Sequence, residues 1–314
     1  MADDLRYARQ AMITGAEGEA RLRAAHVLIV GAGGLGVPAL QYLVGAGVGR
    51  ITLIDPDMVE ETNLHRQPIY GRHIGAFKAD AAAEEMRVLN PSVQVTAVVA
   101  QLDPSNAGMV AGVDVVLDCA DSFAASYTLS DACLSAQVPL ISASVLGMAG
   151  YVGGFCGGAP SLRALFPDLP DSTATCATAG VLGPMVGLLG AAQAQMALAV
   201  LLGLTPSPLG QLLRFDGLRP STFRFDGAPE ITGHRFIARS DLNDTDLIVE
   251  LRGTDEAPVP VTPTALRQPA AIRPRDGQRT VFACRSGLRA WRAADALAAR
   301  WSGEIVLLAA GDSA

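Results

Sequence analysis

Glycines at 31, 33, 34 and 36 stand between two short apolar runs, VLIV at 27–30 and ITLI at 51–54. Such a turn lets the backbone approach phosphate oxygens and aims the N-terminus of the following helix at them. Asp55 closes the second run, with Asp57 just beyond it. An acidic side chain about 20 residues past the turn suits ribose hydroxyls. Gly31, Gly33, Gly34, Gly36 and Asp55 therefore point to a nucleotide, and the motif alone leaves NAD-type and ATP-type occupants open. Lys78 is the only lysine among 24 Lys and Arg residues. An ammonium is a compact point charge and a guanidinium a planar fork, so the two are not interchangeable at a phosphate. A chain that uses Arg almost everywhere else marks Lys78 as a residue with a task. Cys176 stands in TCATAGV ahead of a long uncharged run, where a helix N-terminus favours a thiolate.

Positioning these groups requires a strand–turn–helix–strand unit over 27–57. Residues 1–25 read as a helical lead-in. The stretch after 57 is polar and turn-rich, and a helix is predicted over about 77–89, ending at Asn90-Pro91. Strands are predicted over 93–99, 114–119, 139–144 and 151–155, with a helix over 123–136. This alternation is that of a Rossmann-like, doubly wound α/β fold with a mostly parallel sheet. Residues 157–175 are rich in Pro and Ser and read as a loop. No charge occurs from 172 to 213, and 181–204 is long enough to span a membrane. Pro184, Gly183, Gly187, Gly190, Gln193 and Gln195, and the lack of basic and aromatic flanks, argue instead for a helix buried in the core or at a subunit interface. Strands at 211–216 and 221–226, each ending in Asp-Gly, predict a hairpin. The pattern lapses at 227–234. Residues 1–227 are thus expected to form one domain, 228–236 a linker, and 237–314 a small second α/β domain.

A length of 314 residues suits about two domains. A net charge of -7 argues against a nucleic-acid binder, which needs a basic footprint. The first ten residues, MADDLRYARQ, lack an apolar core and do not read as a secretory signal. The 5 cysteines form no CxxC pair, which fits reduced thiols in the cytoplasm and no zinc site. Cys119, Cys133 and Cys156 read as packing residues.

Six strings occur in order: RYARQ, VLIVGAGGLG, ITLIDPDMVEETNLHRQ, GAFKAD, VLDCADS and TCATAGVLGPMVG. Over residues 1–227 they resemble the ThiF, MoeB and HesA family, ATP-dependent activators of ubiquitin-like sulfur carriers. The resemblance implies adenylation: a carrier's C-terminal glycine carboxylate attacks the α-phosphate of MgATP and pyrophosphate leaves, a reaction governed by positioning and charge stabilisation. It implies that amides of the Gly34 turn face the phosphates and that Asp55, with Asp57, holds the ribose. The segment Thr62-Asn63-Leu64-His65-Arg66-Gln67 and Lys78 would clamp the phosphates and the leaving pyrophosphate. Asp121 would hold Mg²⁺, which prefers hard oxygen donors, with Ser122 beside it. Arg9 matches an arginine that reaches across a dimer interface, and Cys176 one used for covalent sulfur or acyl transfer. Without the resemblance, Asp121 is a helix cap, Arg9 a solvated charge and Asn63 a turn residue. Two departures stand out. Ser122 and Ser126 replace the family's usual Asn and Arg, and the first zinc-binding CxxC pair falls about where residues 161–164 stand, so the 157–175 loop must be held without metal.

The tail resembles a rhodanese domain of reduced length. Cys284-Arg-Ser-Gly-Leu-Arg289 matches its active loop, and Glu250-Leu-Arg252 stands for the usual Asp-x-Arg of its first strand. Amides and two arginines around Cys284 would stabilise a persulfide anion. The whole then implies a homodimeric adenylyltransferase that uses MgATP on a sulfur carrier ending in Gly-Gly. Sulfur from a cysteine desulfurase or thiosulfate would make a thiocarboxylate, in thiamine or molybdopterin biosynthesis, with neither nucleic acid nor membrane as partner. Two other readings remain open. An NAD-dependent oxidoreductase would use the glycines and Asp55 but leave Asn63, Arg66, Lys78 and CRSGLR without tasks. A binding member of the same family with weakened catalysis is motivated by Ser122 and Ser126.

Overall fold

The computed structural model describes residues 5–168 and 180–311. The first unit is built on an eight-stranded sheet in the order β3-β2-β1-β4-β5-β6-β7-β8. Its strands are β1 His26–Val30, β2 Arg50–Ile54, β3 Gln94–Val98, β4 Val115–Asp118, β5 Leu140–Leu146, β6 Ala149–Phe155, β7 Gln211–Asp216 and β8 Arg219–Arg224. The first five positions in that order pair in parallel, and β6, β7 and β8 add antiparallel strands. The hairpin expected at the end of the unit is β7–β8, with its second strand two residues earlier than predicted. Gly217 (φ 58°) makes the turn, so pairing begins directly at Arg219.

Alternate residues of the central strands feed two cores, as a sheet covered on both faces requires. Val27, Ile29, Leu53 and Leu117 face three helices: α2 Gly36–Gly45, α3 Lys78–Leu89 and, further along the chain, α5 Gly183–Leu202. Leu28, Val30, Val116 and Leu140 face α4 Phe123–Ala136. A lead-in helix, α1 Ala11–Ala24, bends at Gly15 (φ 65°).

The uncharged run is α5, unbroken by its proline and glycines. Pro184 lies in the first turn, where its missing N–H has no intrahelical partner to lose. Gly183 and Gly190 are contact points: a Cβ at 183 would stand 2.6 Å from the His65 carbonyl oxygen, and one at 190 would stand 2.5 Å from Pro38 Cγ. Among the described helices, α5 is the one long and apolar enough to cross a membrane. Here it packs against α2, β5 and β6, burying Met185, Val186, Leu189, Gln193, Ala194 and Ala197.

The second unit is a five-stranded, wholly parallel sheet in the order β11-β10-β12-β13-β9. It comprises β9 Arg235–Phe236, β10 Leu247–Glu250, β11 Leu266–Arg267, β12 Thr280–Cys284 and β13 Ile305–Ala309, with α6 Leu288–Ala298. The span read as a linker, 228–236, thus ends in a strand of this sheet, because Arg235 and Phe236 find edge partners in Val306 and Leu307. Phe236, Phe282, Cys284, Trp291 and Leu307 share one core with Ala124, Tyr127 and Phe155 of the first unit.

Candidate functional site

The strand order reverses between β1 and β4, and in open α/β sheets the crevice outside the strands' C-terminal ends at such a switch point is the usual ligand position. The glycine turn is packed so tightly at Gly31, Gly34 and Gly36 that a Cβ is excluded there. Gly31 has φ 101°, and a Cβ there would lie 2.5 Å from the Cys119 carbonyl oxygen. At Gly34 a Cβ would meet Val186 Cγ1 of α5 at 2.6 Å, and Gly36 closes on the Gly31 carbonyl. Asp55 is buried under the turn: Oδ2 accepts the Ala32 amide at 2.7 Å and Oδ1 the Asp57 amide at 2.8 Å. Burial pushes its carboxyl above the ordinary range, against the pull of those two amides. Tyr70 donates its hydroxyl to the Ala32 carbonyl at 2.8 Å, pinning the turn from beneath.

The polar stretch after 57 folds as short 3-10 turns over this crevice, Glu61–Asn63 and Pro68–Tyr70. Arg66 Nη2 donates to Asn63 Oδ1 at 2.8 Å, and its Nη1 lies 2.9 Å from His65 Nε2 and 3.4 Å from the Thr62 carbonyl oxygen. Leu64 packs against the main core. Gln67 is 2% exposed, its Nε2 sits opposite Gly33, and its buried Oε1 has no hydrogen-bond partner. Lys78 opens α3, almost buried, with Nζ 2.8 Å from Asp57 Oδ2. The only lysine is therefore held beside Asp55 by a carboxylate, with its backbone amide bonded to the Asp57 carbonyl at 2.9 Å.

Asp121 and Ser122 lie where β4 leads into α4, Asp121 exposed. Three residues earlier, Asp118 is fully buried, a residue that sequence reasoning passed over. Its carboxylate accepts from Ser142 Oγ at 2.8 Å, from the Ala120 amide at 3.2 Å and from Ser126. Burial without a cationic partner pushes its pKa up to about 6. The available signal was an aspartate closing the apolar run VVL. Gln193 of α5 braces the same strand end, donating to the Asp118 carbonyl at 2.8 Å, and Cys119 Sγ donates to its Oε1 at 3.4 Å. Cys119, Cys133 and Cys156 are all buried, and burial raises each thiol, Cys156 to about 12, which suits packing residues.

The loop after β6 is anchored by side chains as far as it is described. Ser161 bonds Glu230 through its amide (2.7 Å) and its hydroxyl (2.5 Å). Arg163 forms a bidentate pair with Asp131 at 2.7 and 2.9 Å and donates to the His234 carbonyl at 2.9 Å. These bonds join residues 161–163 to 230–234. Among the described residues no cluster of three or more His, Cys, Asp or Glu side chains could hold a metal.

In the second unit Cys284 ends β12, buried, its Sγ accepting the amides of Gly287 (3.2 Å) and Ala290 (3.3 Å). Glu250 and Arg252 form a buried pair, Nη2 to Oε2 2.7 Å and Nε to Oε1 2.8 Å. Burial opposes the Glu250 charge, but bonds from Arg252 and the Val261 amide outweigh it and hold the carboxyl below its ordinary range. Arg289 is paired with Glu256 and donates to the Leu251 carbonyl at 3.0 Å.

The structure thus gathers the glycines, Asp55, Asp57, Asn63, Arg66, Gln67 and Lys78 at one crevice, with Asp121 and Ser122 on the adjoining loop. It does not bring Arg9 there. The neighbouring Tyr7 packs on Gly47 and bonds Asn90, before the starts of β2 and β3, at the far edge of the sheet. Cys176 lies outside the described residues. The donors present suit ATP and Mg²⁺: a glycine cradle closed to a Cβ at Gly31, Gly34 and Gly36, a buried unpaired acceptor in Gln67, one ammonium, and the exposed carboxylates of Asp57 and Asp121. One or two carboxylates suffice for a magnesium ion held mainly by phosphates and water.

The ThiF family model matches residues 7–231. The chain is 45% identical over 204 residues to the adenylyltransferase and sulfurtransferase UBA4 of Yarrowia lipolytica, covering 63% of this chain and 52% of that protein. It is 44% identical over 222 residues to the adenylyltransferase and sulfurtransferase MOCS3 of Sus scrofa, covering 68% and 49%. These two matches span about half of each relative's length. The SAMP-activating enzyme E1 of Haloferax volcanii is 40% identical over 219 residues, covering 68% of this chain and 81% of that protein. Among solved structures, Escherichia coli MccB with ATP aligns at a TM-score of 0.62 and 21% identity over 71% of this chain and 72% of that one, a likeness of fold.

Proposed function

The chain belongs to the ThiF family, and from that premise we propose that it adenylates the C-terminal carboxylate of a small ubiquitin-like sulfur carrier ending in Gly-Gly. The observation that carries this reading is the solitary Lys78, sequestered against Asp57 within the field of Asp55 at the mouth of the glycine turn. Relatives named as adenylyltransferases and as a SAMP-activating enzyme support it.

Asp55 accepts the ribose hydroxyls on the lone pairs its two amide bonds leave free, and the amides of the glycine turn face the phosphates. Lys78 exchanges Asp57 for phosphate oxygens, and Arg66, oriented by Asn63, supports the departing pyrophosphate. The carrier carboxylate attacks the α-phosphorus, the bond to the bridging oxygen of pyrophosphate breaks, and an acyl adenylate forms. Mg²⁺, held by Asp121, would supply charge neutralisation on the phosphates. Cys284, whose sulfur is ringed by amides, would take the outer sulfur of thiosulfate while sulfite leaves, giving a persulfide for conversion of the acyl adenylate to a thiocarboxylate. That step serves thiamine or molybdopterin biosynthesis, in a cytoplasm that keeps the thiols reduced, with Arg9 completing the site of a partner protomer in a homodimer.

The test is isotope exchange between pyrophosphate and ATP. Label enters ATP only when a carrier ending in Gly-Gly is present, and Lys78→Ala lowers the rate by at least about a hundredfold. Exchange that survives in Lys78→Ala, or tight capture of a nicotinamide dinucleotide in place of ATP, overturns the reading.

A further inference from the structure

Asp55 follows β2, and its amide bonds the carbonyl of Val98, the last residue of β3, at 3.1 Å. A nucleotide with its phosphates on the glycine turn after β1 and its ribose on Asp55 after β2 carries its base onward, toward the end of β3. Gln101 stands three residues past that strand end, at most about 11 Å of chain from Val98. There it lines a cavity of about 170 Å³. Ala124 and Thr128, in the first two turns of α4, line the same cavity, and the chain enters α4 directly from Asp121 and Ser122. The segments that leave β3 and β4 therefore both border it.

The remaining wall belongs to the second unit, through Phe236 of β9 and Ala309 of β13. Both pack on the core that the two units share, and the Phe236 ring centroid lies 6.3 Å from that of Trp291 in α6. A cavity of about 150 Å³ accommodates a benzene ring, so this one suits a flat ring system. Asp103 sets its polarity. Oδ1 accepts the amide and the hydroxyl of Ser105, and among the described residues no donor bonds Oδ2. A carboxylate only accepts, so it favours an amino group on the ring and repels a carbonyl oxygen there. The carboxamide of Gln101, on the same segment, has the donor and acceptor that pair with an adenine edge.

Resting on the function proposed above, we infer that this cavity seats the base of ATP and that the second unit is part of the nucleotide site. Phe236 and Ala309 cover the ring from the second unit. Asp103, with Gln101, selects a 6-amino purine over a 6-oxo purine. Nucleotide affinity then depends on the second sheet staying docked on α4, a task that is separate from any chemistry of Cys284.

The wild-type full-length chain is irradiated with 2-azido-ATP, whose reactive group sits on the base, and labelled peptides are identified by mass. Label is expected in 236–239 or 308–310 of the second unit as well as in 101–104, and excess unmodified ATP prevents it. ATP-protected label confined to the first unit overturns the inference. Ala309→Phe fills the cavity from the second unit and should raise the dissociation constant for ATP at least about tenfold. Asp103→Asn keeps an oxygen for Ser105 and turns an amino group toward the base. Its preference for ATP over inosine triphosphate, which differs at position 6 of the ring, should fall at least about tenfold. An unchanged dissociation constant in the first variant, or an unchanged preference in the second, also overturns the inference. The labelling needs no variant, so a misfolded chain leaves the test intact. Wild-type protein that takes no ATP-protected label at all overturns the underlying function, an outcome distinct from label confined to the first unit.

Discussion

Asp118 carries a charge problem that the chain solves with hydroxyls. Its carboxylate is buried at the end of β4, bonded to Ser142, Ser126 and one amide, and its pKa rises to about 6. A group that binds its proton more tightly when folded stabilises the fold below its unfolded pKa, near 4, and loses that contribution as pH climbs through 6. Wild-type protein should therefore lose on the order of 3 kcal/mol relative to Asp118→Asn between pH 4 and pH 7. Urea unfolding at the two pH values checks this, and parallel pH profiles for the two proteins would count against it. Asp118 closes β4 three residues before Asp121, so the titration reports on the end of the strand from which the β4–α4 loop starts.

At the scale of elements, α5 shows how small residues serve contact. Gly190 lets the helix settle on the Leu35 carbonyl and Pro38, directly over the glycine turn, whereas no other atom lies within 4 Å of a Cβ built at Gly187. Gly190→Val should destabilise the protein by about 1–3 kcal/mol through overpacking and weaken nucleotide binding as the turn is pushed out of place. Gly187→Ala should stabilise it by up to about 1 kcal/mol, since alanine is the better helix former where nothing obstructs it. Denaturant midpoints for the pair decide the matter, and a reversed order of stability would refute this account of the helix. The glycines and Pro184 that argued against a membrane span were legible as helix-weakening residues. Their partners, His65 and Pro38, lie far away in sequence, and no local pattern shows them.

At the scale of the molecule, the two sheets are joined through Tyr127, Arg163, Phe236 and Trp291 into one continuous core. Unfolding either unit would expose the apolar face of the other, so calorimetry should record a single cooperative transition. Two resolved transitions would show that the units unfold independently. The loop expected to hold without zinc is held by Ser161–Glu230 and by Arg163–Asp131 with the His234 carbonyl, over the part described. A chain read in order could locate Arg163 only as a basic residue in a Pro/Ser-rich stretch. Its partners at 127, 131, 234 and 291 become neighbours through the packing of α4 against α6.

Local chemistry was enough to place the glycine turn, Asp55, the strand–helix alternation and the isolated Lys78. Each of these depends on spacing along a few turns of chain or on which residue type a phosphate accepts. Whether a charge is buried, which carboxylate holds the lysine, and how the second sheet meets α4 depend on segments from 21 residues apart (Asp57 and Lys78) to 163 apart (Ala124 and Gly287) meeting in space. Only the folded packing decides those. Low dielectric and excluded water then turn Asp118 into a proton-binding group and Arg163 into a joint between the two units.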